Sequence, residues 1–498
     1  MRSLDCTLRD GGYYTNWDFQ ESFLNDYLNA VNKTDIEYIE IGYRSIPLEV
    51  YKGEYYYLPI SRIKYISKKT KIKIAIMLDV KNLTIEDLST LLIECRDYVS
   101  LIRIAATPDS YQSLDKYITK IREYGFEVAL NLMYLSTWIK DKDFIVNAIK
   151  WSKNYKIDYL YFVDSYGSVL PQQIIDISDI TKNIETITLG FHGHDNLSMA
   201  LANSIEAINS GFKIIDSTFQ GMGRGAGNLK TELFLQYYKY SHNIELDNDK
   251  HFHKFYNRIS EMKKHYEWGT DISYMTAGFV GFPQGKIMDF ISLRTSNTEN
   301  IEKVILNKSH KFERKKATTN NVFETIVIIG GGKSSVEYTN YINEFLKKHT
   351  YKVIFTSSKH MDLFIDNIKF PSLILSGDEY IRASNTINNI DDVEFVYNAN
   401  DDFTLLPENH NNIQELDEEY ILKKSNSRTE FGLAYASKLG ASKILLLGYD
   451  GYDKFNKKES ELSIENQSLF NIYDRNIKIF SLLPTKYSIE KKSLFSLL

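Results

Sequence analysis

Cysteine is nearly absent, with two residues, Cys6 and Cys95, in a chain of 498. They cannot build a disulfide framework or a paired-cysteine zinc site, and such low thiol usage points to a reducing compartment, here the cytoplasm. Proline is scarce, at 8 residues, while tyrosine reaches 36. Together with abundant Ile, Lys and Asn, this reads as the bias of an AT-rich genome. Neither charge sign dominates: 60 Lys and Arg stand against 65 Asp and Glu, for a net charge of −5. That balance offers no electrostatic footprint for nucleic acid. No apolar run reaches the ~18 residues of a membrane-spanning helix. The opening MRSLDCTLRD lacks the apolar core of a signal peptide and runs directly into a strand-like segment. What is present is a chain that is 43% hydrophobic and 25% charged. That is ample for folded cores, and at roughly 100–200 residues per domain it predicts two or three domains.

The first half alternates strand and helix with a regular beat. Short apolar, β-branched runs occur at Ser3–Leu8, Tyr38–Gly42, Ile72–Asp79, Ser100–Ala105, Glu127–Leu132, Tyr159–Asp164, Thr186–Phe191 and Lys213–Phe219. Helical spacing fills the intervals, as in Ile85–Tyr98, Ser110–Tyr124, Phe144–Tyr155 and Leu197–Asn209. Gly125 and Gly211 stand where helix C-caps are expected, and Asn196 is a candidate N-cap. Eight such units predict a (β/α)8 TIM barrel over 1–242, since the barrel typically takes about 250 residues and an open doubly wound sheet rarely repeats so evenly. Residues 243–306 read as a helical appendage, with aromatic helices at Phe252–Tyr266 and Gly285–Leu293 that make a homodimer plausible. The polar, basic stretch 307–321, NKSHKFERKKATTNN, reads as a linker with a solvated charge run. Residues 322–498 restart with the strand TIVIIGGG and a helix near Val336–Lys348. Further strands are expected at Lys352–Thr356, Leu373–Leu375, Val393–Tyr397 and Lys443–Leu447, and the Asn- and acid-rich stretch Asn388–Glu419 reads as an excursion. This half predicts a small Rossmann-like α/β domain.

Three segments carry chemistry. GFHGHDN, Gly190–Asn196, ends the seventh strand. His192 and His194 are two apart, so on a strand both side chains share one face, which opens on the mouth of a barrel. Two converging imidazoles suit a divalent metal, though a pair of satisfied polar residues at a strand end would look the same. TLRDGG, Thr7–Gly12, ends the first strand and places Asp10 at the equivalent mouth position. One carboxylate and two imidazoles can then meet on one ion, and Arg9 offers a fixed fork of donors for a developing oxyanion or, more plainly, a structural ion pair. QGMGRGAGN, Gln220–Asn228, follows the eighth strand, and its four glycines let backbone approach a ligand. Asn228 offers an oxygen to the metal or its surroundings.

In that order, the three segments resemble the DRE-TIM metallolyases, the HMGL-like superfamily that includes HMG-CoA lyase, isopropylmalate synthase and 4-hydroxy-2-oxovalerate aldolase. LDCTLRDGG is similar to the family's first-strand motif. The resemblance implies Arg9 as the enolate-stabilising arginine and Asp10 as a metal ligand, with GFHGHDN as the two-histidine metal motif. GMGRGAGN looks more like the aldolase form of the last loop than the GxGERxGN of acyl-CoA-condensing synthases. Glu40 in IEIG, Arg103 in IRIAATPDS and Asp164 in FVDSYG sit where the family places residues around the site, either touching substrate or packing behind it. The aldolases keep an acid–base histidine shortly after the RDG. Here Tyr13 and Tyr14 stand in that place, and either would need help to move a proton. LDCTLRDGGYYTNWDF resembles an aldolase-like subgroup of bacterial surface-polysaccharide gene clusters. The implied activity is a class II aldolase that uses Mn2+ or Mg2+, Mn2+ being favoured by the two imidazoles. It would join a pyruvate-type 2-oxo acid to an aldehyde, or cleave the 4-hydroxy-2-oxo acid product.

In the second half, IVIIGGGKSS is a strand, a glycine turn and a helix start. Such a turn can cradle phosphate, which makes Gly330, Gly332, Lys333 and Ser334 candidate ligand contacts. Ser335 replaces the third glycine of GxGxxG, no acid ends the next strand, and the Walker A spacing is missing. A weak resemblance to MptE-like Rossmann-type domains, through GGGKS and ILLLGYDGY, implies a nucleotide or sugar ligand. A scaffold without a ligand is equally compatible. Because this half holds no cysteine, it cannot be a cysteine-dependent acylating aldehyde dehydrogenase. Two rivals stand beside the aldolase: a Claisen-type acyl-CoA synthase, and an idle barrel used as a binding module.

Overall fold

A computed structural model of the chain describes residues 2–181, 187–244, 249–293, 298–307, 322–388, 390–398, 404, 406–407, 412–423, 427–452 and 457–498. The chain divides into two compact units, Met1–Ser292 and Leu293–Leu498. The helix Thr298–Asn307, expected in the appendage, groups with the second unit. The expected linker lies outside the described residues except for Asn307, which ends that helix.

The first unit is a TIM barrel. Its strands are β1 (Arg2–Asp5), β2 (Tyr38–Arg44), β3 (Lys73–Leu78), β4 (Leu101–Ala106), β5 (Glu127–Leu132), β6 (Tyr159–Asp164), β7 (Thr188–Gly193) and β8 (Ile214–Ser217). They close in sequence order, all parallel, with Arg2–Asp5 of β1 pairing Ile214–Ser217 of β8. The pleat sorts the residues by period two. Ile39, Ile76, Ile102, Ile104 and Leu130 face the surrounding helices. Leu4, Tyr38, Ala75, Leu101, Ala129, Tyr159 and Ile214 fill the lower interior. Two residues further along their strands stand Glu40, Arg103, Asn131 and Asp216, all buried. The barrel therefore has an apolar floor and a polar upper layer, and the candidate site sits on that layer.

The sequence expectations hold for the strand count and closure and differ at some ends. β1 stops at Asp5, not Leu8, and Thr7–Asp10 forms a helical turn followed by a second at Gly12–Thr15. The cause is Asp5, whose buried carboxylate accepts from Thr7 N (3.0 Å), Tyr27 Oη (2.8 Å) and Thr231 Oγ1 (2.6 Å) and so turns the chain. Gly125 and Gly211 do end helices with left-handed φ. Asn196 is no cap: it donates to the Tyr274 carbonyl (2.9 Å), and Asp195 accepts from Ala200 N at the start of the helix Ala200–Asn209. The appendage contains helices Lys250–Tyr266, Ile272–Val280 and Gln284–Leu293. The first packs Phe255 against Phe23 and Tyr27 on the helix Glu21–Val31. Among the described residues no helix is long and apolar enough to cross a membrane.

The second unit is an open parallel sheet of β9 (Thr325–Ile329), β10 (Lys352–Phe355), β11 (Phe370–Ile374), β12 (Glu394–Asn398), β13 (Ile413–Leu416), β14 (Lys443–Leu447), β15 (Lys478–Ser481) and β16 (Glu490–Lys491). The order is β13-β12-β11-β10-β9-β14-β15-β16. Alternate residues of β9, Ile326 and Ile328 against Val327 and Ile329, enter two separate apolar layers, so both faces are covered. β12 matches the strand expected at Val393–Tyr397, β13 lies inside the stretch expected to be an excursion, and β15 and β16 were not expected.

Candidate active site

The mouth of the barrel brings Asp10, His192, His194 and Asn228 together. His192 receives Asp216 on Nδ1 (2.9 Å) and turns Nε2 toward Asp10 Oδ2 (3.7 Å). His194 is fixed through Nδ1 by the Asp164 carbonyl oxygen (2.8 Å), and the two rings lie edge to face with centroids 5.0 Å apart. With each Nδ1 held, the Nε2 atoms are the remaining ring donors, an arrangement common in metal-binding histidines. Burial lowers the His194 pKa to about 3, so its imidazole is neutral throughout the physiological range. Burial opposes ionisation of Asp10, yet Arg9, His192 and His194 hold its carboxyl down at about 2. Asn228 Nδ2 donates to Asp10 Oδ2 (2.7 Å), while Asn228 Oδ1 is buried with no hydrogen-bond partner. An orphaned buried amide oxygen beside an ionised carboxylate and two imidazoles is a donor set that fits a divalent cation.

A second cluster, Cys6, His192 and Asp216, also has ligand-type atoms within 4.8 Å of one another. It is a poorer candidate. Asp216 Oδ2 already binds His192 and the Arg103 guanidinium (2.5 Å), and burial followed by the Asp10 charge pushes the Cys6 thiol far up. A cation there would have to displace Arg103.

Under the site runs a buried chain of charge. Arg9 pairs with Asp10 through Nη1 and with Glu40 Oε2 through Nε (2.7 Å). Glu40 Oε2 also accepts from Arg103 Nη1 (3.2 Å), and Arg103 continues to Asp216 and so to His192. The Arg103 guanidinium lies 4.4 Å from the centroid of the Tyr161 ring. Glu40 and Arg103 are fully buried and joined to protein groups, which accords with the alternative of packing behind the site. Asp164 is likewise held by its own chain. Its carboxylate accepts from Ser168 N (3.0 Å) and Val169 N (3.1 Å), and burial, against those bonds, raises its pKa to about 6. Its service to the site is the backbone carbonyl that orients His194.

The two tyrosines separate. Tyr13 Oη meets Tyr43 Oη (3.2 Å), and its ring lies edge-on to Trp17 at 4.8 Å. Tyr14 Oη donates to the Gly225 carbonyl (3.5 Å), its ring packs on Tyr266 and Trp268, and burial raises its pKa. It is therefore ill-suited to accept a proton. Arg224, Tyr43 and Asp216 were missed by the sequence reading. Asp216 could have been found by period-two counting from Ile214.

The loop after β8 is tightly folded. Gly227 has φ +79°, and a Cβ there would lie 2.2 Å from the Gly221 carbonyl oxygen. Gly227→Ala is accordingly expected to cost about 1–3 kcal/mol. Urea unfolding of variant and native protein measures this, and an unchanged midpoint would show that the loop yields freely.

In the second unit the glycine turn packs rather than cradles. Cβ atoms at Gly330 and Gly332 would meet the Gly448 carbonyl at 2.8 and 2.5 Å. Ser334 N donates to Asp450 Oδ2 (2.9 Å), and Ser334 Oγ bonds the same carboxylate. The chain's own Asp450 thus occupies the Ser334 donors, and Lys333 is exposed beside them.

The family model HMGL-like matches residues 1–257. An oxaloacetate decarboxylase from Mycobacterium tuberculosis is 26% identical over 237 residues, spanning 46% of this chain and 67% of that protein. A 4-hydroxy-2-oxovalerate aldolase from Geobacillus thermodenitrificans is 28% identical over 237 residues, with the same coverage of 46% and 67%. Among solved structures, the N-terminal domain of a candidate aldolase from Bacteroides vulgatus superposes with TM-score 0.56 and 39% identity, over 59% of this chain and 97% of that one.

Proposed function

From the premise that the chain belongs to the HMGL-like family and is a carbon–carbon lyase, we propose that it is a divalent-metal-dependent aldolase joining a pyruvate-type 2-oxo acid to an aldehyde, or cleaving the product. The observation that carries this is the set Asp10, His192, His194 and Asn228, with its orphaned amide oxygen, standing beside Arg9. A divalent cation held by those four, Mn2+ in preference to Mg2+, would supply Lewis acidity toward the 2-oxo group.

The chain's own residues do the rest. Arg9 presents a guanidinium to the oxygen on which negative charge develops, and Glu40 on its Nε keeps the fork from turning. Asp216 and the Asp164 carbonyl fix the imidazole orientations in advance of substrate. Tyr13, linked to Tyr43, is the hydroxyl assigned to the proton of the 4-hydroxyl group. Asp10, Glu40 and Asp216 face Arg9 and Arg103, one formal negative charge in excess. A bound divalent cation would turn that excess positive and draw in an anionic 2-oxo acid.

Decarboxylation of oxaloacetate and cleavage of a 4-hydroxy-2-oxo acid both release the enolate of pyruvate, so the two relatives' named activities support one shared step. The test is exchange of pyruvate methyl protons in D2O, followed by NMR. Exchange that requires Mn2+ or Mg2+ is expected, and none at any metal concentration would reject the proposal. The surface-polysaccharide setting is supported by the LDCTLRDGGYYTNWDF resemblance, and the genes adjacent to this one test it.

A further inference from the structure

One cation at the barrel mouth has no task in the scheme above. Arg224, in the middle of the loop after β8, is partly buried, and its guanidinium carbon lies 4.3 Å from the centroid of the Tyr13 ring. Tyr13 is itself braced by Trp17 and by the Tyr43 hydroxyl. The loop is pinned from the appendage, where Gln284 Oε1 accepts from Ala226 N (3.1 Å). The titratable neighbours that act on Arg224 are Tyr13 first, then Tyr43, Asp10 and Arg9, and both Asp10 and His194 feel its charge. It therefore stands against Tyr13, within electrostatic reach of Asp10 and His194.

The two arginines of the mouth differ in one respect. Arg9 is neutralised by Asp10 and Glu40. Among the described residues no carboxylate pairs with Arg224 and no hydrogen bond ends on its guanidinium; an aromatic face is its support. A guanidinium withdrawn from water without an anion is costly, and its planar fork matches a carboxylate or a phosphate. The 2-oxo acid has one carboxylate, which the cation would accommodate while Arg9 faces its 2-oxo oxygen. The second substrate is what remains to meet Arg224, on the side where Tyr13 would handle its hydroxyl proton.

We propose that Arg224 selects the acceptor, pairing with an anionic carboxylate or phosphate group carried by the aldehyde. This rests on the aldolase reading. The test uses the full chain with Mn2+ and pyruvate, and two matched acceptor pairs: butyraldehyde against succinic semialdehyde, and glyceraldehyde against glyceraldehyde 3-phosphate. In the native protein, kcat/KM is expected to favour the charged member of at least one pair by about 10-fold or more. The responding pair shows whether carboxylate or phosphate is the group. In Arg224→Gln that ratio is expected to fall to about one, chiefly through KM, and Arg224→Lys should restore part of it. A variant that merely folds poorly would lower both members alike and keep the ratio, which overturns the proposal. A native ratio near one in both pairs overturns it too. Methyl-proton exchange from pyruvate separates the two levels. Its absence in the native protein rejects the aldolase and this inference together, whereas exchange without charge preference rejects this inference alone.

Discussion

His192→Ala is expected to abolish metal retention and pyruvate methyl-proton exchange together. His192 is held on Nδ1 by Asp216 at 2.9 Å and turns Nε2 toward Asp10 at 3.7 Å, and the ring is almost wholly buried. Removing it takes one donor from a set of four and leaves His194 and Asp10 without the neighbour that completes their arrangement. The loss of Lewis acidity at a carbonyl is worth several kcal/mol, so exchange should fall by at least about 10^3. After loading and desalting, metal analysis should find Mn2+ in the native protein and background in the variant. The fold is expected to persist, because Asp216 keeps its pair with Arg103 and the barrel strands are untouched. A variant that exchanges at the native rate with no bound metal would remove the metal from the mechanism. The same result would turn attention to the buried arginines as the source of catalysis.

The grouping of Asp10, His192, His194 and Asn228 was legible in the sequence because its motifs sit at the ends of strands whose number and order the alternation revealed. That His192 and His194 share a face followed from period two, and their reading as a metal motif came from the resemblance. Asp10 was placed at the mouth correctly, but by the wrong element: a helical turn carries it there, because Asp5 bends the chain two residues before Thr7. The roles of Glu40 and Arg103 could not be read. Which buried charge meets which depends on register across β2, β4 and β8, and a single sequence does not display that. Asp164 was misleading for another reason, since its carboxylate serves its own loop and its carbonyl serves the site. In the second unit the GGGKS turn read as a phosphate cradle because Asp450, 116 residues away from Ser334, is invisible to local pattern. β13 and β16 were missed because IQEL is short and half polar and EK is two charged residues, so neither has a periodicity to detect.

Glu40→Gln is expected to damage stability and turnover while leaving the metal in place. Glu40 is fully buried, and its Oε2 atom joins Arg9 Nε at 2.7 Å to Arg103 Nη1 at 3.2 Å. Glutamine preserves the shape but removes the charge that holds two guanidinium groups on one oxygen. Asp10 still faces Arg9 and Asp216 still faces Arg103, so neither arginine is stripped bare, yet both lose a partner in a place water does not reach. Breaking a buried ion pair in this way costs about 3–5 kcal/mol, which urea unfolding should register as a lower midpoint at unchanged slope. Turnover should suffer separately. The fork of Arg9 is aimed by Glu40, and loosening one oxyanion donor costs about 10^2–10^3 in kcat. Because Asp10, His192, His194 and Asn228 are untouched, Mn2+ should be retained at the native ratio, which separates this variant from His192→Ala. Pyruvate KM should move less than kcat, since Arg9 acts on charge that develops during the reaction. A Glu40→Gln protein that is as stable as the native chain and turns over at the native rate would show that Arg9 is aimed by Asp10 alone.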